Sequence, residues 1–318
     1  MRSYVVRRLL GVIPALFIGS ILIFLIIHLI PGDPAVLLVP MSPPPTQELI
    51  AEVRAAYGFD KPLYEQYLIW LGKLLRGDLG DSLSKPAWTV AELITKKIGV
   101  TLHVTAGAFL VSVLISLPLG IRMGLHPDGF LARRVLPVYT GIGFAIPPFW
   151  LGILLILFFS VFLGILPTSG FRSITEDPIQ SIRFLIMPSL AGGISGAVVY
   201  TNFISASVSE IAKKEFILAA IAKGLPRRRV VYRHILKNAL IPVVTVAALQ
   251  LGTTVGGAVV TESVFGIPGI GRLLVDAITA RDYAVVQADF MVLICAVMLA
   301  NLLADLLYGW LDPRIRLD

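Results

Sequence analysis

SEIAKKEFILAAIAKGLPRRRVVYRHILKN, residues 209–238, decides how this chain is read. It carries eight Lys/Arg (Lys213, Lys214, Lys223, Arg227, Arg228, Arg229, Arg233 and Lys237) against two acids, Glu210 and Glu215, a net charge of +6. On either side lie runs with no charged side chain, Phe184–Val208 and Ala239–Thr261. About 20 apolar residues, at roughly 1.5 Å rise each, cross a hydrocarbon core about 30 Å thick. Both flanks reach that length. The basic connection between them belongs on the cytoplasmic side, where short loops concentrate Lys and Arg.

The same pattern repeats outward in both directions. Charge-poor apolar runs occur at Leu9–Ile30, Ile98–Arg122, Val135–Phe162 and Ala284–Trp310. Six spans follow, with both termini cytoplasmic. The whole chain of 318 residues is 56% hydrophobic and 15% charged. A soluble domain carries about 25% charge, so lipid is the solvent that fits. Continuous Leu/Ile/Val-rich runs read as helices, because a barrel strand would alternate over roughly ten residues. The net charge of +7 then reflects topology rather than nucleic-acid binding.

The organisation read from these runs begins with an N-terminal anchor and first span, 1–30. The run Leu9–Ile30 is too long for a signal-peptide core, and Pro31-Gly32-Asp33-Pro34 is no cleavage site. Residues 31–97 are polar and near neutral, with eight acids and seven bases, and form a small extracytoplasmic segment. Within it Thr46 is the expected N-cap of one helix and Gly58 its stop; Lys61–Arg76 reads as a second. The core, 98–310, holds five spans at about 98–122, 135–162, 184–208, 239–261 and 284–310, with the cytoplasmic loop 209–238. The tail is 311–318. Pro147-Pro148 should kink the third span.

Within the loop, Glu215–Gly224 reads as a short helix, with Glu215 and Lys223 at opposite dipole ends and Gly224 as its left-handed terminator. Pro226 opens a second helix. Phe216, Ile217, Ala220 and Ile221 should form one apolar strip, rimmed by bases. Such a strip either packs on the chain's own spans or docks a cytoplasmic partner.

No Gly-x-x-x-x-Gly-Lys-Ser/Thr phosphate loop occurs, so the chain should not bind ATP. The one cysteine, Cys295, and the scattered His28, His103, His126 and His234 give no metal spacing. No cofactor and no catalytic constellation is expected. Polar residues within spans are functional suspects: Asn202, Gln250, Asn301 and Asp305 as pathway lining, with Asn301 and Asp305 one turn apart. Gly252, Gly256 and Gly257 read as close helix packing.

At this point the motifs carry a resemblance. Ala219-Ala220-x-x-x-Gly224, with Leu236 twelve residues on, resembles the cytoplasmic loop of importer-type ABC transporter permeases. Leu218, His234 and Lys237 depart from the general pattern but are similar to the peptide/nickel subfamily. Other segments resemble that subfamily in order: Arg7-Arg8-Leu9, Pro31–Pro34, Gly77–Ser82, Pro147–Gly152, Leu166–Gly170, Glu262–Arg272, Arg281–Tyr283 and Val286-Gln287. Together they identify the chain as a B-type permease of dipeptide/oligopeptide/nickel importers. The resemblance implies a type I ABC importer fold in a prokaryotic inner membrane. It also implies a C-type permease partner, two cytoplasmic ATP-binding subunits and an extracytoplasmic solute-binding protein. The solute the resemblance implies is a peptide, with a nickel chelate, glutathione or another small solute as alternatives. The ATPase-coupling residues it points to are Glu215, Phe216, Ala219, Ala220, Lys223, Gly224, Leu225, Arg229, His234 and Leu236. An ion-driven transporter would show an inverted repeat and midplane ionisable residues, and neither stands out.

Overall fold

The computed structural model describes the backbone of residues 2–28, 34–37 and 46–311. The Pro31–Asp33 exit, the Pro43–Pro45 run, the His28 side chain and the tail from Asp312 lie outside the described residues.

Thirteen α-helices run in order through the described residues: α1 Arg2–His28, α2 Pro34–Leu37, α3 Gln47–Tyr57, α4 Leu63–Leu75, α5 Val90–Leu125, α6 Leu136–Ala145, α7 Pro148–Leu155, α8 Pro178–Ala212, α9 Glu215–Ala222, α10 Arg227–Arg229, α11 Leu236–Val264, α12 Ile270–Thr279 and α13 Tyr283–Leu311. π-helical turns adjoin α6, α7 and α11 at Leu131–Val135, Ile156–Phe162 and Val230–Ile235. No β-strand occurs among the described residues.

Four helical stretches are long and apolar enough to cross a membrane: Val90–Leu125, Pro178–Ala212, Arg227–Val264 and Tyr283–Leu306. A fifth candidate is the pair Leu131–Ala145 and Pro148–Phe162, bent by 94°. The bend has a local cause. Ile146 precedes a proline and is driven out of the helical region, to φ −91° and ψ 114°. Pro147 stays extended, and Pro148 starts α7 at its first turn. The result is a broken element rather than a kinked rod. α1 supplies the remaining apolar position, with Leu10–Leu25 as its apolar stretch.

Helix boundaries differ from the apolar runs. α5 begins eight residues before Ile98 and has 36 residues. At about 1.5 Å each it is longer than a hydrocarbon core is thick. Its extra turns are closed by a capping box: Glu92 N–H donates to Thr89 Oγ1 and Thr89 N–H to Glu92 Oε2.

The chain divides into two compact units. The first contains residues 1–10, 99–272 and 296–318. Its core clusters Tyr200, Ile204 and Val208 of α8 with Ile217, Val230, Ile235, Ala239 and Val243. A second cluster joins Val104 of α5, Met187 and Ala191 of α8, Phe265 and Ile267. Ser112 Oγ donates to the Gly193 carbonyl at 2.7 Å, linking α5 to α8.

The second unit contains residues 11–98 and 273–295. α3 is capped as its sequence requires. Leu49 N–H donates to Thr46 Oγ1, and Gly58 takes φ +74°. α4 packs on α1 through Phe24, Tyr67 and Trp70, and Ser20 Oγ pairs with Tyr67 Oη at 2.9 Å.

Candidate functional site

The basic loop folds as a helix, a glycine turn and a second helical segment. Lys214 is extended and starts α9. Gly224 takes φ +76°, and the Leu225 N–H then reaches back to the Ala220 carbonyl at 3.3 Å. A side chain at that φ would be strained, so glycine fits the turn. Pro226 is extended and α10 follows, running through a π-helical turn into α11.

The apolar strip expected on α9 is divided, which corrects the sequence reading. Ile217 and Ala220, three residues apart, face inward and are 1% and 7% exposed. They pack in the cluster formed by α8 and the start of α11. Phe216, Leu218 and Ile221 face outward and are 46%, 58% and 57% exposed. At 100° per residue a short helix carries two faces, and this one is apolar on both. Leu225 is half-buried against the same cluster, and Leu236 is buried within it. Glu215, Ala219, Lys223 and Arg229 are exposed, and His234 is half-buried. Lys214 pairs with Glu210 at 2.9 Å, and Arg227 Nη2 lies 3.1 Å from His126 Nε2.

The four polar residues read as pathway lining have different surroundings. Asn202 Nδ2 donates to Thr140 Oγ1 at 3.0 Å and to the Val198 carbonyl at 2.8 Å, so its amide joins α8 to α6. Asp305 forms an ion pair with Arg8 at 3.0 Å. Asn301 lies beside Gly252, where an added Cβ would sit 3.3 Å from its Oδ1. Gln250 lines a cavity. Gly252 is a close-packing position; Gly256 and Gly257 have no atom within 4 Å of where a Cβ would be.

The fifth span expected from the sequence ends at residue 261, which leaves Glu262 outside it. It is instead the last-turn residue of α11 and has 0% exposure. Thr101 Oγ1 donates to its Oε1 at 2.6 Å, and the Arg272 N–H to its Oε2 at 3.1 Å. The Ile270 N–H donates to Thr101 Oγ1 at 2.9 Å, so one hydroxyl serves both sides. A Cβ on Gly269 would overlap the Glu262 carboxylate, and one on Gly271 the Val259 backbone. The glycines of Glu262–Arg272 therefore make room for a buried carboxylate. The readable signal was an acid placed directly after an uncharged span.

Residues 116–317 match the family described as binding-protein-dependent transport system inner membrane component. Residues 1–105 match the N-terminal family of the same transport-system membrane components. The glutathione transport system permease protein GsiC of Escherichia coli strain K12 is 39% identical over 316 residues, covering 99% of each chain. That of Shigella flexneri serotype 5b is 38% identical over the same share. Among solved structures, an inward-facing form of the MetNI methionine ABC transporter aligns with a TM-score of 0.54 at 20% identity, covering 70% of this chain and 97% of that one. A second crystal form gives 0.57 at 21% identity, covering 69% and 96%. At that identity the likeness establishes the fold.

Proposed function

This chain belongs to the family of binding-protein-dependent transport system inner membrane components, and we propose that it forms half of an import pathway for short peptides and peptide-like solutes, glutathione among them. As a family member it is a multi-pass inner-membrane permease of an ABC importer, a transport component and not an enzyme. ATP hydrolysis and solute capture fall to ATPase and binding-protein partners. In our reading a related C-type permease supplies the other half. Two ATPase subunits dock on the cytoplasmic loops, and both termini of this chain lie in the cytoplasm.

The observation that carries this reading is the divided α9. Its outer face, Phe216, Leu218 and Ile221, is exposed, and the exposed bases Lys213, Lys214, Lys223 and Arg227 flank it in sequence. An apolar patch with a polar rim marks a protein contact. Its inner face, Ile217 and Ala220, sits in the same cluster as α8 and α11. A partner that moves the outer face therefore moves the spans through packed side chains, not through a flexible tether. The net charge of +6 on 209–238 supports a cytoplasmic position for that face.

Glutathione is a tripeptide, so the relatives' printed solute lies within the peptide-like class. The test is co-expression with two ATPase subunits, a C-type permease and a solute-binding protein of the same importer class. The tagged chain should recover the ATPases and the second permease, and vesicles containing the complex should take up glutathione or a tripeptide only with ATP. Uptake by this chain alone, as a homodimer without ATPases, overturns the proposal.

A further inference from the structure

We infer that the cavity bounded by α5, α8, α11 and the α6–α7 break is a solute subsite that holds an uncharged amide segment of the solute during passage. The inference rests on the importer reading above. The cavity measures about 210 Å³ and lies wholly within the first unit. It is smaller than the roughly 300–1,000 Å³ that encloses a whole small ligand, so it fits part of one.

Its chemistry is specific in two respects. First, no charged side chain lines it, while Thr105, Ser195, Gln250, Thr253 and Thr254 do. Gln250 Oε1 accepts from Thr253 Oγ1 at 3.0 Å, and the Gln250 carbonyl accepts from Thr254 Oγ1 at 2.8 Å. The Gln250 amide nitrogen is left to donate, and the threonine oxygens to accept. A peptide bond offers the complementary carbonyl and N–H. A carboxylate or ammonium would find no counter-charge there and would be held in low dielectric without a partner.

Second, Thr105 lines the cavity, is 8% exposed, and its hydroxyl has no hydrogen-bond partner. Helical threonines normally satisfy their hydroxyls on the preceding turn, as Thr201 does on Ala197 at 2.7 Å. An unsatisfied hydroxyl inside a membrane-spanning bundle is retained against a cost. A solute amide passing the cavity is the partner it lacks.

Two variants test this in the assembled importer reconstituted in vesicles, with ATP-driven uptake of glutathione and of trialanine as readouts. Thr105→Val removes a hydroxyl that bonds nothing, so thermal stability should hold or rise. Uptake of both probes should nevertheless fall roughly fivefold, the size of one lost hydrogen bond, and Thr105→Ser should restore it. Gly257 lines the cavity and has open space around its Cβ position; Gly256 has the same space but does not line it. Gly257→Leu should abolish uptake in a complex that still assembles, while Gly256→Leu retains it. Unchanged uptake with Thr105→Val or Gly257→Leu overturns the subsite and leaves the importer reading standing. So does a Thr105→Val chain that loses stability along with activity, or equal loss in both leucine variants. A wild-type complex that imports neither probe overturns the peptide-like solute reading, and the subsite with it.

Discussion

The Ser82 hydroxyl donates to Asp282 Oδ2 at 2.6 Å, joining two residues 200 positions apart. The Ser84 N–H and hydroxyl reach the same oxygen at 2.9 and 2.8 Å. The other oxygen, Oδ1, accepts from the Val285 N–H at 3.3 Å and caps α13. One carboxylate thus fixes the Gly77–Ser82 segment to the start of the last helix. Both segments were singled out in the sequence, but nothing there paired them.

This arrangement predicts an acid-dependent stability. Burial pushes the Asp282 carboxyl up, but hydrogen bonds from Ser82, Ser84 and Leu83 outweigh it, and the net direction is below its ordinary 3.8. A lowered folded value means that the contribution is complete above the unfolded value and is lost as pH falls through the folded one. The thermal midpoint of the purified complex should be level near neutrality and fall on acidification below about 4. Asp282→Asn should lower the neutral midpoint by about 1–3 kcal/mol in stability and flatten the acid limb. Parallel acid limbs for the variant and the parent would show that Asp282 is not the group responsible.

The Glu262 pocket predicts a contrast among glycines. Gly269→Ala or Gly271→Ala must displace the Glu262 carboxylate or the Val259 backbone. Overpacking of that kind costs about 1–3 kcal/mol. Thr101→Val removes the donor to Glu262 and the acceptor for Ile270, a loss of about 1–3 kcal/mol in a buried site. Gly256→Ala meets nothing and gains helix propensity of up to about 1 kcal/mol. Detergent melting curves should therefore separate Gly256→Ala upward from the other three downward.

The two faces of α9 predict two phenotypes. Phe216→Ala, Leu218→Asp or Ile221→Asp should leave insertion and melting unchanged and abolish recovery of the ATPases. Ile217→Ala should cost about 2–5 kcal/mol, because it empties a packed site. Ala220→Arg belongs with Ile217, since Ala220 is buried in the chain's own core and an arginine there would break the loop before any partner was lost. Loss of ATPase recovery with neither set would remove α9 from the docking surface.

Much of this architecture was legible because lipid imposes a simple rule: charge-free runs must be helical and long. The Thr46 and Gly58 caps and the Gly224 turn were legible because each depends on local backbone geometry. What lay hidden depends on long-range pairing. Glu262 is a charged residue at the end of an uncharged run, and hydropathy alone assigns it to water. Only the approach of Thr101 and the absence of side chains at Gly269 and Gly271 make burial tolerable. The split of α9 was hidden for a related reason. Seven of the eight residues of α9 are apolar, which fits one face or two, and only the neighbouring helices decide. Asn202 and Asp305 were read as pathway residues from their polarity within spans, and their partners on other helices were out of reach of the sequence.

That last point yields a final prediction. Arg8 Nη1 lies 3.0 Å from Asp305 Oδ2, with side chains 49% and 25% exposed. The pair ties the beginning of α1 to the end of α13. A partly exposed ion pair contributes about 0–1 kcal/mol, so Asp305→Asn should lower stability only slightly. A helix-pairing role predicts unchanged solute uptake in that variant. The charge-swapped double variant, Arg8→Asp with Asp305→Arg, should return the small stability loss, since the coupling depends on opposite signs and not on which helix bears which. If Asp305→Asn instead alters uptake with no change in melting, and the swap does not repair it, then Asp305 serves the solute path and the contact with Arg8 is incidental.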